Sequence, residues 1–148
     1  MRRIGGLFDG VVSYSNLYRA YRKALLGARR NEEQACFYYN LENELVTLRR
    51  ELIEGTYIPG PYRYFMIHDP KEREIAIAPF RDRVVHHAIV NVLEPIYERR
   101  FVYDSYATRK KKGTLAAIKR AQSFLRESRY YIKLDISKYF ASIDRNTL

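Results

Sequence analysis

The first 55 residues show the three- and four-residue spacing of apolar positions that is typical of amphipathic helices. Residues 14–28 mix Tyr, Leu and Ala with basic residues at this spacing, and Gly27 loosens the end of the predicted helix. Between Asn31 and Glu54 the spacing is clearer, and its apolar members are Phe37, Leu41, Leu45, Leu48 and Leu52. Asn31 suits a helix start and Gly55 a stop. We therefore predict two helices here, the second being one long structural helix.

The middle of the chain changes to a strand pattern and then returns to a helix. Residues 55–61 are turn-rich, and residues 62–68 and 74–78 predict two short strands joined by a turn at 69–71. A helix is then predicted to begin at residue 80 or 81 and to run to residue 98. Its wide apolar face comprises Val84, Val85, Ala88, Ile89, Val92, Leu93 and Ile96.

The last third of the chain predicts another helix and another strand. The helix covers residues 115–125, with Ala117, Ala121, Phe124 and Leu125 facing inward. Residues 130–136 alternate, so that Ile132, Leu134 and Ile136 share one face of a strand while Lys133 and Asp135 share the other. Asp144 suits the cap of a further helix. Strands and helices in this mixed order indicate an α+β fold, not a doubly wound sheet.

Charge is the first compositional feature that changes this picture. The chain has 148 residues, the size of one compact domain or of a fragment of a larger protein. Its 27 Lys and Arg exceed 17 Asp and Glu, which gives a net charge of +10. Such an excess favours polyanionic partners, because cations near phosphates release condensed counterions. A generically basic soluble protein is the alternative. The 14 Tyr and 7 Phe support nucleic acid by offering rings for base stacking, although most such rings serve packing.

Cysteine usage and hydropathy indicate the cellular compartment in which we expect the protein. The single Cys36 excludes an internal disulfide and a cysteine-based metal cluster, and it fits a reducing compartment. No apolar run approaches the ~18 residues of a membrane span. The first ten residues lack the apolar core of a secretory signal. We expect a cytoplasmic protein without a membrane partner.

Asp135 is the first candidate for chemistry. It lies on the polar face of the predicted strand 130–136. A carboxylate at a strand end can bind Mg²⁺, and two such ions can hold the attacking and leaving oxygens of a phosphoryl transfer. On spacing alone the plainer interpretation is stronger, since an aspartate on an exposed strand face is usually solvated or paired with a lysine.

The second candidate is the run of four cations at Arg109, Lys110, Lys111 and Lys112. Adjacent cations repel one another, so a phosphate partner explains the run economically. A solvated charge run remains the alternative for each lysine. Arg109 is the strongest member, because its planar guanidinium can hold a phosphate in a fixed orientation. Arg81 and Arg83 at a helix start could contact nucleic acid or form local ion pairs, and local pairing is favoured for Asp82.

Three segments in order carry a resemblance to a known family. They are residues 73–101 (REIAIAPFRDRVVHHAIVNVLEPIYERRF), 103–121 (YDSYATRKKKGTLAAIKRA) and 130–144 (YYIKLDISKYFASID). Their order resembles the first three sequence blocks of bacterial and phage-type reverse transcriptases, which group II intron, retron and diversity-generating retroelement enzymes share. The Asp-Ser-Tyr-Ala-x-Arg-Lys form of the second block is most similar to the diversity-generating branch. Intron and retron enzymes more often carry Ser-Tyr-Gly-Phe-Arg there, a pattern from which Ala107 and Thr108 depart.

The resemblance implies roles for individual positions. Asp135 falls at the first metal-binding aspartate of the palm, and Ile136 falls where a backbone carbonyl also reaches the metal. Phe140 matches the bulky residue that excludes a ribose 2′-OH. Arg109, with Lys110 beside it, matches the fingers arginine that contacts the incoming triphosphate. Contacts to template or nucleotide are expected for Arg73, Arg81, Arg83, Lys111 and Lys112.

The resemblance also implies regions and partners. Residues 1–55 correspond to an amino-terminal helical extension, residues 56–128 to the fingers, and residues 129–148 to the start of the palm of a right-hand polymerase. The implied ligands are an RNA template, a DNA or RNA primer, an incoming dNTP and, in the complete enzyme, two Mg²⁺ ions. A small basic accessory protein is a further partner implied by the family.

The family's second metal-binding block, a Tyr-x-Asp-Asp turn, does not occur in these 148 residues. We therefore expect the chain alone to be inactive as a polymerase, and to be a fragment of a longer product or one piece of a split protein. Two alternatives stay open. One is a non-catalytic RNA-binding module, and the other is a group II intron maturase-type protein.

Overall fold

The computed structural model describes residues 4–26, 32–137, 139–144 and 146, without the side chains of residues 140 and 141. The fold is α+β, as the sequence predicts, with one antiparallel pair of strands. The elements in chain order are α1 (Leu7–Val12), α2 (Tyr14–Leu25), α3 (Glu32–Tyr39), α4 (Leu41–Glu54), β1 (Arg63–His68), β2 (Glu72–Ile77), α5 (Phe80–Glu98), α6 (Thr114–Glu127) and α7 (Tyr139–Ser142).

The amino-terminal helices differ from the prediction in two ways. The short helix α1 precedes the predicted helix, which is α2 and ends at Leu25; residues 27 and 28 lie outside the described part. The prediction of one long helix from Asn31 to Glu54 is wrong, because α3 and α4 are separate, and Asn31 is also outside the described residues. Asn40 separates them with backbone angles φ −111° and ψ 29°, which leave the helical region. The apolar spacing continues across this break, and therefore does not reveal it.

The core of the first part of the chain forms where α2, α3, α4 and α5 meet. Tyr21, Phe37 and Phe80 pack as an aromatic cluster, with Tyr21 stacked on Phe37 at 5.7 Å and Phe37 edge-on to Phe80 at 5.2 Å between ring centres. The fully buried aliphatic residues around the cluster are Leu17, Leu45, Leu48 and Val84. Burial of each such side chain contributes about 1.5–3 kcal/mol to folding. The predicted apolar faces of α4 and α5 are thus confirmed at these positions.

A buried amide joins α2 to α5. The Asn16 Nδ2 donates to the backbone oxygens of Val11 at 3.1 Å and Ala88 at 3.0 Å. Its Oδ1 accepts a hydrogen bond from Asn91 Nδ2 at 3.0 Å. Because the Asn16 amide has partners for both its donor and its acceptor atoms, it fixes the position of α2 along α5 and leaves none of its own polar groups unsatisfied.

The predicted hairpin is confirmed, with small shifts in its strand ends. β1 pairs antiparallel with β2, and Phe65 lies opposite Ile75 in the register. The two strands are joined through the predicted turn at residues 69–71. Side chains on both faces are mostly exposed, so within its own unit the hairpin adds little to the core.

Backbone contacts divide the chain into two units, Met1–Arg100 and Phe101–Leu148. The second unit contains α6, which has no buried residue. The prediction that Ala121, Phe124 and Leu125 face a core is wrong, because these side chains are exposed. Ala117 is half-buried. Helical spacing predicts which residues share a face of a helix. It does not predict whether another helix or strand packs against that face.

The predicted strand at residues 130–136 is also wrong for the described chain. These residues have no strand assignment and pair with no other described segment. Ile132 is 85% exposed and Leu134 88% exposed. An alternating pattern becomes a strand only when a neighbouring strand supplies hydrogen-bond partners. Asp144 Oδ1 accepts the backbone N–H of Asn146 at 2.9 Å, as a cap would, but the helix predicted after it falls largely on residues outside the description.

None of the described helices combines the length and the apolar character that crossing a membrane requires.

Candidate nucleic-acid interface

Arg109 organises the loop that precedes α6. Its Nη1 donates to the backbone oxygens of Val102 at 2.9 Å and Ser105 at 3.2 Å. The guanidinium carbon lies 5.4 Å from the centre of the Phe101 ring. Arg109 is half-buried. The side chain therefore stabilises the loop in this structure, and its contact with a triphosphate stays a prediction.

Lys112 makes a second set of contacts within the same loop. Its Nζ donates to the backbone oxygen of Tyr103. The same nitrogen lies 4.1 Å from the centre of the Tyr103 ring and 4.9 Å from that of the Tyr106 ring. A cation at these distances is attracted by the ring electrons. The tyrosines flanking the cationic run thus gather around one of its lysines.

An exposed ion pair connects this loop to α6. Arg120 Nε lies 2.9 Å from Asp104 Oδ1, and its Nη2 lies 3.4 Å from Oδ2. The hydrogen bond from Arg120 lowers the pKa of the Asp104 carboxyl, and a hydrogen bond from Tyr106 acts in the same direction. The guanidinium also lies 4.4 Å from the Phe124 ring centre. Since the pair is exposed, it fixes geometry more than it adds stability.

The predicted arginines of the first unit have different surroundings. Arg81 Nη2 lies 2.8 Å from Glu51 Oε2, its Nε lies 3.7 Å from Glu44 Oε2, and its side chain is 27% exposed. The Arg83 guanidinium lies 5.2 Å from the centre of the Phe80 ring. Arg73 lies on the exposed strand β2. Contacts of these three arginines with template or nucleotide stay predictions. Arg81 would make such a contact while it is paired with Glu44 and Glu51.

Asp82 is buried, and the local ion pair predicted for it is wrong, because its partners in the structure are a hydroxyl and a backbone N–H that lie 25 and 22 positions earlier in the chain. Its Oδ1 accepts the Tyr57 hydroxyl at 2.5 Å, and its Oδ2 accepts the Gly60 backbone N–H at 2.8 Å. Burial, and then the hydrogen bond to Asp82, raise the pKa of Tyr57 well above its ordinary value. Asp82 therefore holds the turn-rich segment 55–61 against the start of α5.

The proposed catalytic residues are exposed in this structure. Asp135 and Ile136 both lie in the unpaired segment, with Ile136 66% exposed. The backbone of Phe140 lies in α7, while its side chain is outside the description. Within the described residues, no three His, Cys, Asp or Glu side chains come close enough to bind a metal ion. Asp135 alone does not meet the ligand requirement of two Mg²⁺ ions.

The structure thus brings part of the predicted site together. Arg109, Lys111 and Lys112 occupy one loop, while no described hydrogen bond or ion pair connects Asp135 with them. Lys110, beside Arg109, is exposed. Three residues that share this region were not predicted from the sequence, namely Tyr103, Lys119 and Arg120. The sequence did contain a signal for them. Two of them lie in the predicted helix, where residues three and four positions apart share a face, and aromatic residues precede that helix.

Known proteins are similar to this chain over 51–72% of its length. Protein YkfC of Escherichia coli (strain K12) is 34% identical over 112 residues, which cover 71% of this chain and 29% of that protein. Group II intron-encoded protein LtrA of Lactococcus lactis subsp. cremoris is 30% identical over 110 residues, covering 72% of this chain and 18% of that protein. The putative COX1/OXI3 intron 2 protein of Saccharomyces cerevisiae is 29% identical over 76 residues, covering 51% and 9% respectively.

The matched regions cover less than a third of the length of each of these relatives. No protein-family model matches the chain. The predicted resemblance is confirmed for intron-encoded proteins, whereas the predicted diversity-generating branch stays a prediction. This chain is a homologue of group II intron-encoded proteins.

Proposed function

We propose that this chain is the amino-terminal part of an RNA-directed DNA polymerase, a reverse transcriptase. In this proposal the chain binds an RNA template, a primer and an incoming dNTP through its fingers region. The observation that carries the proposal is the homology to group II intron-encoded proteins over 72% of the chain. The order of the three sequence blocks is consistent with it.

The charge and aromatic contacts of the second unit support nucleic acid as the partner. The chain carries a net charge of +10. The loop before α6 combines Lys112 with two tyrosine rings, and α6 itself combines Arg120 with the Phe124 ring. Cations beside aromatic rings suit a ligand that has both phosphates and stacked bases.

The catalytic part of the proposal rests on Asp135. We assign it as one carboxylate ligand of the Mg²⁺ pair, with the Ile136 carbonyl beside it, and Phe140 as the residue that discriminates against ribose. A site for two Mg²⁺ ions needs carboxylates in addition to Asp135. The remaining ligands would come from a segment other than the described residues, as they would in a longer polypeptide or a complex.

The branch of the family is a separate proposal. The Asp-Ser-Tyr-Ala-x-Arg-Lys form at residues 104–110 favours a diversity-generating retroelement enzyme, which would work with a small basic accessory protein. The intron-encoded relatives favour an intron maturase-type protein as the second candidate. Splicing of a group II intron RNA with and without the protein separates them. Protein-dependent splicing supports the maturase, and its absence, together with DNA synthesis on an RNA template, supports the first branch.

The proposed function is tested by an assay of DNA synthesis by the protein that the complete reading frame encodes. We expect labelled dNTPs to enter a primer annealed to RNA, and we expect omission of the template to abolish the product. Binding of RNA without any synthesis would contradict the polymerase and favour the non-catalytic RNA-binding module.

A further inference from the structure

The second unit contains a cavity of about 410 Å³ between the loop before α6 and α6 itself. A cavity of this size falls within the range of small-ligand sites. Its lining includes the rings of Tyr103 and Tyr106 and four cationic side chains, Lys111, Lys112, Lys119 and Arg120. This combination differs from scattered surface charge, because four cations and two aromatic rings line one open depression.

Helical geometry explains how α6 contributes to the cavity. Ala116, Lys119, Arg120 and Ser123 line it, and they follow one another at three- and four-residue steps. Residues at these steps share one face of a helix. The first turn of α6 has no acidic residue, and the small Ala116 leaves space beside the two cations. The wall formed by α6 is therefore open and positively charged.

The four cations of the cavity differ in their ion pairs and hydrogen bonds. Arg120 pairs with Asp104, and Lys112 bonds the Tyr103 backbone oxygen. Within the described chain, the side-chain ammonium groups of Lys111 and Lys119 form neither an ion pair nor a hydrogen bond. Two ammonium groups that line one cavity repel each other, and an anion bound between them reduces that repulsion.

We propose that this cavity is a binding site for the phosphodiester backbone of RNA, with Lys111 and Lys119 each neutralising a phosphate. The identity of the ligand as RNA rests on the proposed function, whereas the choice of phosphate rests on the cavity itself. Tyr103, which is 73% exposed, offers a ring for an adjacent base. The site is separate from the triphosphate contact predicted for Arg109, whose Nη1 donates to carbonyls of the loop.

The salt dependence of RNA binding tests the proposal. We would titrate the full 148-residue chain with a fluorescent single-stranded RNA at several salt concentrations, and compare it with a Lys111→Gln/Lys119→Gln variant. Each lost phosphate contact lowers the slope of log affinity against log salt by about 0.7. The double variant should therefore lose about 1.4 from the slope. Circular dichroism confirms that it is folded.

A variant that loses the same charge outside the cavity distinguishes a specific phosphate site from general electrostatic attraction of RNA to the basic chain. Lys71→Gln/Lys133→Gln removes two exposed lysines outside the cavity. We expect its slope to change clearly less than that of the first variant, and equal losses would overturn the proposal. A slope in the Lys111→Gln/Lys119→Gln variant that matches the unmodified chain would overturn it while leaving the proposed function intact.

Competition with a dNTP and with inorganic triphosphate identifies the source of the phosphate. We expect neither to displace the RNA at equal phosphate concentration. Displacement that requires Lys111 and Lys119 would assign the cavity to nucleotides and overturn the RNA assignment. Failure of the unmodified chain to bind any RNA would contradict the proposed function and this site together.

Discussion

Asp82 shows how a single residue determines the path of the chain between the amino-terminal helices and α5. It is only 3% exposed, yet it is a carboxylate. Tyr57 and Gly60 both donate to it. A buried carboxylate is tolerated when charge-assisted hydrogen bonds replace its hydration. The segment that precedes the hairpin is therefore fixed by polar contacts within a largely apolar region.

Gly60 should not tolerate a side chain. A Cβ at this position would lie 2.9 Å from Pro79 Cγ, closer than carbon atoms pack. We predict that Gly60→Ala lowers the free energy of unfolding by about 1–3 kcal/mol, measured by urea denaturation. Gly5→Ala is the matched control, because a Cβ at Gly5 meets no atom within 4 Å. Equal unfolding free energies for the two variants would contradict the close approach.

The Tyr57 hydroxyl should make stability depend on pH in the alkaline range. Burial and the bond to Asp82 raise the pKa of Tyr57 in the folded protein, while the unfolded chain ionises near pH 10. Above that pH the folded state retains a proton that the unfolded state has lost, so stability falls as pH rises. We predict that the melting temperature falls less between pH 8 and pH 11 in Tyr57→Phe than in the unmodified protein. An identical fall in both would show that Tyr57 does not contribute.

The sequence identified charged residues by type, but it did not predict the groups that these residues contact in the structure. Arg81 was identified as a cation at a helix start, but Glu51 lies 30 positions earlier in the chain and reaches it only through the packing of α4 near α5. Arg109 was assigned by its type, whereas its two carbonyl partners depend on how the loop closes. Charge patterns identify residue types, and tertiary contacts decide which groups they meet.

At the scale of elements, apolar spacing located helices and the hairpin but not their limits. The break at Asn40 interrupts an apolar spacing that continues through it, so periodicity alone could not separate α3 from α4. Helix α6 forms where predicted without burying its apolar residues. Residues 130–136 have the alternation of a strand but no partner strand among the described residues. Periodicity therefore predicts a local preference, and an element also needs a neighbour.

Hydrogen exchange should distinguish these elements. We predict that backbone amides of residues 130–136 exchange at nearly the rate of an unstructured peptide, because they lack strand partners in the described chain. Amides around Val84 and Ala88 in α5 should be strongly protected, since both residues are fully buried. Mass spectrometry of exchanged peptides measures both regions in one sample. Comparable protection in the two regions would contradict the unpaired state of residues 130–136.

At the scale of the whole molecule, three properties point to one family of functions. The chain is strongly basic, its α+β fold includes a hairpin followed by the long helix α5, and its homologues are group II intron-encoded proteins. The order of the three blocks carried the resemblance in the sequence, and it did not depend on the strand at residues 130–136 being formed. Metal ligation could not be predicted fully from this chain, because two ions require more carboxylates than Asp135 supplies.

Replacement of Asp135 tests the central claim most directly. In the product of the complete reading frame, Asp135→Asn removes the negative charge that would bind Mg²⁺ while keeping nearly the same shape. The control is Asp9→Asn, at an exposed aspartate in α1. The measurement is incorporation of labelled dNTPs on a primed RNA template, with RNA affinity measured in parallel. We predict that Asp135→Asn abolishes incorporation and leaves RNA affinity within about twofold, whereas Asp9→Asn retains both. Incorporation by Asp135→Asn at the level of the control would contradict the assignment of this chain to the catalytic start of a polymerase palm.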